Sequence, residues 1–213
     1  MLSALAMLAV LAAPADLGDA CAEPAAAIEL AAPVVKEFEG LARCVGPKSD
    51  PCAILAAYPD PGVGAKLPTI GYGHTSLAGG GHGVQVRMGA TITRLEAEAI
   101  LRADLEAVVG QVCRLVKRPL TPPQLAGLIS FTYNLGSGTL ARSVVLRYIK
   151  AGRFDQAARD MRRYVHAGSP KRVYPGLVKR RSAEASLLDE ETQAGRKRVV
   201  ENEFSPQGPI HSQ

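Results

Sequence analysis

The stretch YPDPGVGAKLPTIGYGHT, from Tyr58 to Thr75, holds too much glycine and proline for a helix. It alternates: Thr69 and Gly71 fall on one face, Ile70 and Tyr72 on the other. The pattern predicts a short hairpin-like β-element. It presents one carboxylate, Asp60, and one hydroxyl, Thr69, on a stiff backbone. Just upstream, VVKEFEGL reads as an apolar-periodic helix end that carries Glu39 immediately before Gly40. Glu37 and Glu39 are two apart, so they do not share a helix face, and only one can point at a common site.

These residues carry a resemblance. Glu39-Gly40, then Tyr58-Pro59-Asp60, then Thr69-Ile70-Gly71-Tyr72-Gly73-His74-Thr75 resembles the phage-type lysozymes (endolysins) of the T4 lysozyme family, glycoside hydrolase family 24. PLTPPQLAGLISFTYNLGSGTL and YPGLVKRRSAE, further on, resemble two later segments of the same family, in family order. The resemblance covers about residues 32–190. It implies an α+β, lysozyme-like fold, with a small β-containing lobe and a larger helical lobe joined by a long helix. It also selects Glu39 over Glu37, which reads as a solvated helix residue.

Glycoside hydrolysis needs a proton donor at the leaving oxygen and an anion or activated water at the anomeric carbon. By resemblance, Glu39 is the acid, Asp60 the base, and Thr69 the hydroxyl that orients the water. An inverting pair is expected to stand ~6.5–9.5 Å apart, against ~5–5.5 Å for retention. Candidate substrate-binding residues are Tyr72, His74, Asn134 and Arg181. Read from the residues alone, Glu39 is also a surface charge, Asp60 a turn former and Thr69 a β-former. His74 reads first as a structural histidine paired within the sheet, and Asn134 as a helix-end cap. Arg180 and Arg181 lie in the basic run KRVYPGLVKRR, whose readings are a solvated face, contact with anionic peptide stems, or an ion pair from the arginines to Glu184.

Composition sets the frame. The chain has 213 residues, 47% of them hydrophobic, with no tryptophan and a net charge of +5. Leu, Val, Ile and Ala must build the core. Basic charge admits nucleic acid, anionic membrane or anionic wall as partners, but no nucleic-acid motif is evident. The four histidines lack metal-ligand spacing, so neither metal nor cofactor is expected. The cysteines (Cys21, Cys44, Cys52 and Cys113) allow three pairings. A local Cys44–Cys52 bridge would staple a loop that interrupts the family's spacer, contributing ~2–3 kcal/mol. A free Cys21 or Cys113 could then exchange with it.

LSALAMLAVLAA at the start is short for a membrane span, which takes ~20 residues. Residues 1–22 read as a signal or weak export anchor. The catalytic domain is expected over 30–190, its β-containing lobe about 30–92 and its helical lobe about 93–190. A helix over 30–43 turns Leu30, Val34, Val35, Phe38 and Leu41 inward. Residues 76–90 read as a loop, with His82 solvated. Thr93-Arg94-Leu95-Glu96 is a capping box opening a long helix to about Val116. Thr121-Pro122 starts the next, and Gly136 stops it. Leu140–Lys150, Phe154–Tyr164 and Pro175–Glu190 follow as helices, and 191–213 reads as a disordered tail. Tyr164 stands where many relatives have tryptophan.

The expected function is an exported or secreted, monomeric enzyme with transient membrane contact through its N-terminus. It hydrolyses the β-1,4 bond between N-acetylmuramic acid and N-acetylglucosamine in peptidoglycan. The rivals are a lytic transglycosylase on the same bond and a non-catalytic wall-binding module.

Overall fold

Proline is at home in a first helical turn, where its missing N–H has no partner to lose. The first helix, α1, accordingly spans Pro24–Glu39. The computed structural model describes residues 21–59, 67–76, 85–168 and 171–203, with side chains to Asp189. The buried face of α1 is Ala27, Ile28, Ala31 and Val35. Leu30, expected in the core, is 42% exposed. A face built on alanine lets α1 approach its neighbours closely, where a leucine stripe would hold it off.

Among the described residues five short strands follow: β1 (Ile54–Ala56), β2 (Tyr58–Pro59), β3 (Pro68–Ile70), β4 (His74–Thr75) and β5 (Thr91–Thr93). β1 pairs antiparallel with β5, Leu55 opposite Ile92. β2, β3 and β4 form a second antiparallel sheet, with Tyr58 opposite Thr69 and Ile70 opposite His74. The expected alternation holds through Ile70 and then breaks. Gly71 and Gly73 adopt φ of +61° and +87°, so residues 71–73 turn. Tyr72 therefore sits on the turn instead of a strand, and its side chain goes into the core.

The capping box forms at Thr93 as expected. The Thr93 N–H donates to Glu96 Oε2 at 2.7 Å, and the Glu96 N–H donates to Thr93 Oγ1 at 3.2 Å. It opens α2 (Arg94–Val116), which touches both β4 and β5 as well as the later helices. α3 (Pro122–Leu135) is the hub: Gln124 to Thr132 are all buried, and α1, α2 and the last helix pack on it. Gly127 makes that last contact possible, since a Cβ there would lie 2.7 Å from the Glu184 carbonyl oxygen.

The single helix expected over Leu140–Lys150 is two, α4 (Ser137–Arg142) and α5 (Val144–Lys150). Ser143 is extended between them, and its Oγ accepts the Leu146 N–H at 3.0 Å, capping α5. Hydroxyl residues compete with the helix in this way. α6 (Phe154–Met161) ends before Tyr164, and a small hairpin, β6 (His166–Ala167) with β7 (Arg172–Val173), precedes α7 (Pro175–Glu203). α7 runs well past Glu190, where the sequence reading ends it. Strong helix formers (Glu, Gln, Ala, Arg and Lys) dominate that extension, so its polarity did not mean disorder. Residues 1–20, 204–213 and His82 lie outside the described residues.

All four cysteines are paired: Cys44 with Cys52, and Cys21 with Cys113. The free thiol that exchange requires does not exist in this pairing. Cys21–Cys113 joins residues 92 apart, tying the start of α1 to α2. In the chain-entropy model such a loop contributes about 4.6 kcal/mol. Replacing both cysteines by alanine should lower Tm by about 10 °C in calorimetry; an unchanged Tm would refute a stabilising role. Among the described residues no helix is long and apolar enough to cross a membrane, and no cluster of three His, Cys, Asp or Glu could hold a metal.

Candidate active site

Gly40 has a φ of +64°, which ends α1 and leaves Glu39 as its last residue. The carboxylate is held by one partner and faces a close turn on its other side. Arg180 Nη1, on α7, donates to Glu39 Oε1 at 2.6 Å. On the other side lies the β3–β4 turn: a Cβ added to Gly73 would stand 3.3 Å from Glu39 Oε2. The Glu39 side chain keeps 23% of its surface exposed, while that of Arg180 keeps 3%. The acid thus reaches solvent and its clamp does not.

Arg180 is itself rooted. Its Nε donates to Glu184 Oε1 at 3.0 Å and its Nη2 to the Ser130 carbonyl at 3.2 Å. Ser130 Oγ donates to the same Glu184 oxygen at 2.7 Å. Arg181 points elsewhere: Nη2 donates to Asn134 Oδ1 at 2.6 Å, and Nη1 lies 3.1 Å from Glu184 Oε2. Its guanidinium stacks on Phe131, whose ring meets Tyr164 edge-on at 5.1 Å. Burial pushes the Glu184 carboxyl up, against the opposing pull of Arg181 and Arg180. Burial likewise draws Arg181 down to about 10. Desolvation is thus the larger influence at both groups, so the network's use is to fix geometry more than to add stability.

The turn is pinned from below. His74 is 3% exposed, and its Nδ1 lies 2.8 and 3.0 Å from the two Asp104 oxygens. Asp104 sits within the apolar stripe of α2. Tyr133 OH donates to the Tyr72 carbonyl at 2.7 Å. Burial raises the pKa of that phenol, and the charges of Asp104 and Glu39 add to the effect, so it remains a donor. Lys36 Nζ stands 5.7 Å above the Tyr72 ring.

Glu39, Tyr72 and His74 therefore meet around one turn. Thr69 lies on the adjoining strand, fully buried, its hydroxyl only 3.5 Å from the Leu67 carbonyl. Asp60 follows Pro59 directly and lies outside the described residues. Asn134 and Arg181 pair with each other, and Arg181 is fully buried and ion-paired with Glu184. The burial of His74 agrees with the structural reading in the same way. The basic run divides: Arg180 and Arg181 turn inward, while Lys171, Arg172 and Lys179 stay exposed.

Sequence reasoning did not single out Asp104, Tyr133 or the Arg180 clamp. Asp104 had a signal: a carboxylate on an apolar helix stripe must find a buried partner. Tyr133 and the Arg180–Glu39 contact had none, because nothing local ties them to the turn or to Glu39, although Arg180 forms the ion pair with Glu184 that the sequence suggested.

Gly73 gives a direct test. A Gly73→Ala side chain must adopt a left-handed φ and press on Glu39 Oε2. The expected cost is ~1–2 kcal/mol of stability, with an activity loss of about 10²-fold from the displaced acid. Thermal denaturation and turnover on cell walls would check both, and wild-type turnover would show that the contact does not matter.

Helices gathered round α3, with small antiparallel sheets and an acid held at the end of the first helix, make this a lysozyme-like α+β fold. A family model described as phage lysozyme matches residues 52–184, and the chain belongs to that family. The matched span holds Asp60, Thr69, Arg180 and Arg181; Glu39 lies just upstream of it. The endolysin of Bacillus phage B103 is 36% identical over 155 residues, 73% of this chain and 51% of that protein. The SAR-endolysin of Enterobacteria phage PA-2 is 33% identical over 119 residues, 56% of this chain and 67% of that one. The chain spans about half the length of the first curated relatives it matches. Among solved structures, the muramidase domain of SpmX from Asticaccaulis excentricus superposes with a TM-score of 0.59 at 35% identity, covering 76% of this chain and 94% of that one. The endolysin from Escherichia coli O157:H7 phage FAHEc1 gives 0.61 at 31% identity, covering 76% and 92%.

Proposed function

We propose that this chain is a lysozyme that hydrolyses the β-1,4 bond between N-acetylmuramic acid and N-acetylglucosamine in bacterial peptidoglycan. The observation that carries the reading is the held acid: Glu39 is fixed by Arg180 through one oxygen while the other faces the Gly73 turn. The relatives named endolysin and muramidase support it.

In this reading Glu39 protonates the glycosidic oxygen as the C–O bond breaks. Asp60 takes a proton from a water that attacks the anomeric carbon from the opposite face, so configuration inverts. The two products together gain one water. Thr69 orients that water. Its 3.5 Å contact with Leu67 is too long to occupy the hydroxyl fully, which leaves capacity for a water.

The same reading makes the enzyme exported, acting as a monomer without a cofactor, with membrane contact through residues 1–22. It assigns about 30–92 to the β-containing lobe and 93–190 to the helical lobe. The test is product analysis on purified peptidoglycan. Hydrolysis yields new reducing ends with the α configuration. A 1,6-anhydro-muramic product would replace this reading with a lytic transglycosylase, and no product at all would leave a wall-binding module.

A further inference from the structure

The chain's positive charge is unevenly distributed. Between residues 114 and 163 it carries ten lysines and arginines against two aspartates, so this stretch alone holds a net +8 where the whole chain has +5. All ten are exposed except Arg118, which is half-buried. Both aspartates are already engaged, Asp155 with Arg159 and Asp160 with Arg163. The stretch comprises the end of α2 and all of α3 to α6, and neither Glu39 nor the β3–β4 turn belongs to it.

A cavity of about 380 Å³ lies in this region, lined by Tyr148, Arg153, Gln156, Arg159, Asp160 and Arg163. Arg153 lies over the Tyr148 ring at 5.0 Å, which steadies its guanidinium. Gln156 Oε1 is buried and has no hydrogen-bond partner among the described residues. The Arg159 and Arg163 side chains remain 69% and 81% exposed, so their ion pairs are of the weak surface kind and re-aim at little cost. Three guanidiniums against two carboxylates, Asp155 and Asp160, leave the site net positive and make it an anion site. Arginine matches phosphate oxygens bidentately, and an amide beside a tyrosine suits hydroxyl groups next to that phosphate.

We propose that this cavity and the basic surface around it bind a polyol phosphate polymer, a repeating phosphodiester polyanion of the cell envelope. The envelope location rests on the hydrolase reading above; the binding chemistry does not. A lipid surface fits less well. None of the exposed large hydrophobic side chains falls between residues 114 and 163, so nothing there would enter the acyl region of a bilayer. Nucleic acid shares the phosphodiester, but reading single strands calls for exposed aromatic platforms, and the exposed aromatic side chain Tyr174 lies outside this surface.

The test measures binding of the full chain to synthetic poly(glycerol phosphate), with random single-stranded DNA and phosphatidylglycerol vesicles as parallel probes. Binding to the polymer should weaken steeply with salt. The triple variant Arg153→Gln/Arg159→Gln/Arg163→Gln should lose at least about tenfold in affinity, with the log–log salt slope reduced by about 2–3. A control, Lys48→Gln/Arg87→Gln/Lys171→Gln, removes the same charge elsewhere and should change affinity less than about twofold. Equal losses in both variants would reduce the effect to net charge and overturn the proposal. So would no polymer binding, or tighter binding of DNA or vesicles than of polymer. Turnover on peptidoglycan stripped of phosphate polymers should be the same in the triple variant and wild type. Absent turnover in both would instead sink the hydrolase reading, with the binding result standing on its own.

Discussion

Glu39→Gln should reduce lysis of peptidoglycan by about 10³-fold, the usual contribution of a general acid, while Tm stays within a few degrees of wild type. The amide keeps the size of the carboxyl, and its carbonyl still accepts from Arg180. It has no proton to give the leaving oxygen. Stability survives because Arg180 keeps its deeper partners, Glu184 and Ser130. The Glu39 pair is also partly exposed, so losing its charge costs little. A turbidity assay with a thermal melt on the same sample reads both quantities. Activity within tenfold of wild type would remove Glu39 from the chemistry. A collapse in Tm would make it a structural residue instead.

Glu184→Ala should do the reverse. Glu184 is fully buried between two guanidiniums that are themselves buried. Removing it leaves Arg181 buried without a carboxylate partner and leaves Arg180 with Glu39 alone. Breaking a buried pair from one side costs roughly 3–5 kcal/mol, because the remaining charge is uncompensated. For a chain of this size that is a Tm loss of about 10–15 °C. Activity well below the new Tm should fall less than in Glu39→Gln, since Arg180 still has Glu39 to hold. A Tm drop under about 3 °C would show that Arg180 and Arg181 find water or other partners when Glu184 is gone. The contrast between the two variants separates an acid that does chemistry from an acid that maintains shape.

The helices were largely legible from local pattern. Thr93 with Glu96, Thr121 with Pro122, and Gly136 mark ends through hydrogen bonds made within one turn, so a few adjacent residues determine them. Where local rules compete, the reading slipped. Ser143 divides a helix that apolar spacing made continuous, and the polar start of the tail is helical because its residues favour helix regardless of burial.

The candidate site separates in the same way. The chain alone determined that a helix carries Glu39 up to Gly40 and that Thr69 lies on a strand, because each depends on neighbours in sequence; the turn at Gly71 and Gly73 reads from the sequence as continued strand. Only the tertiary structure decided that Arg180, 141 positions away, would close on Glu39, that Asp104 would hold His74, and that Arg181 would be buried against Asn134 and Glu184. Those outcomes depend on which helix faces meet. Burial makes the meeting obligatory, since a charge taken out of water must find a partner, but where that partner lies along the chain is set by packing around α3.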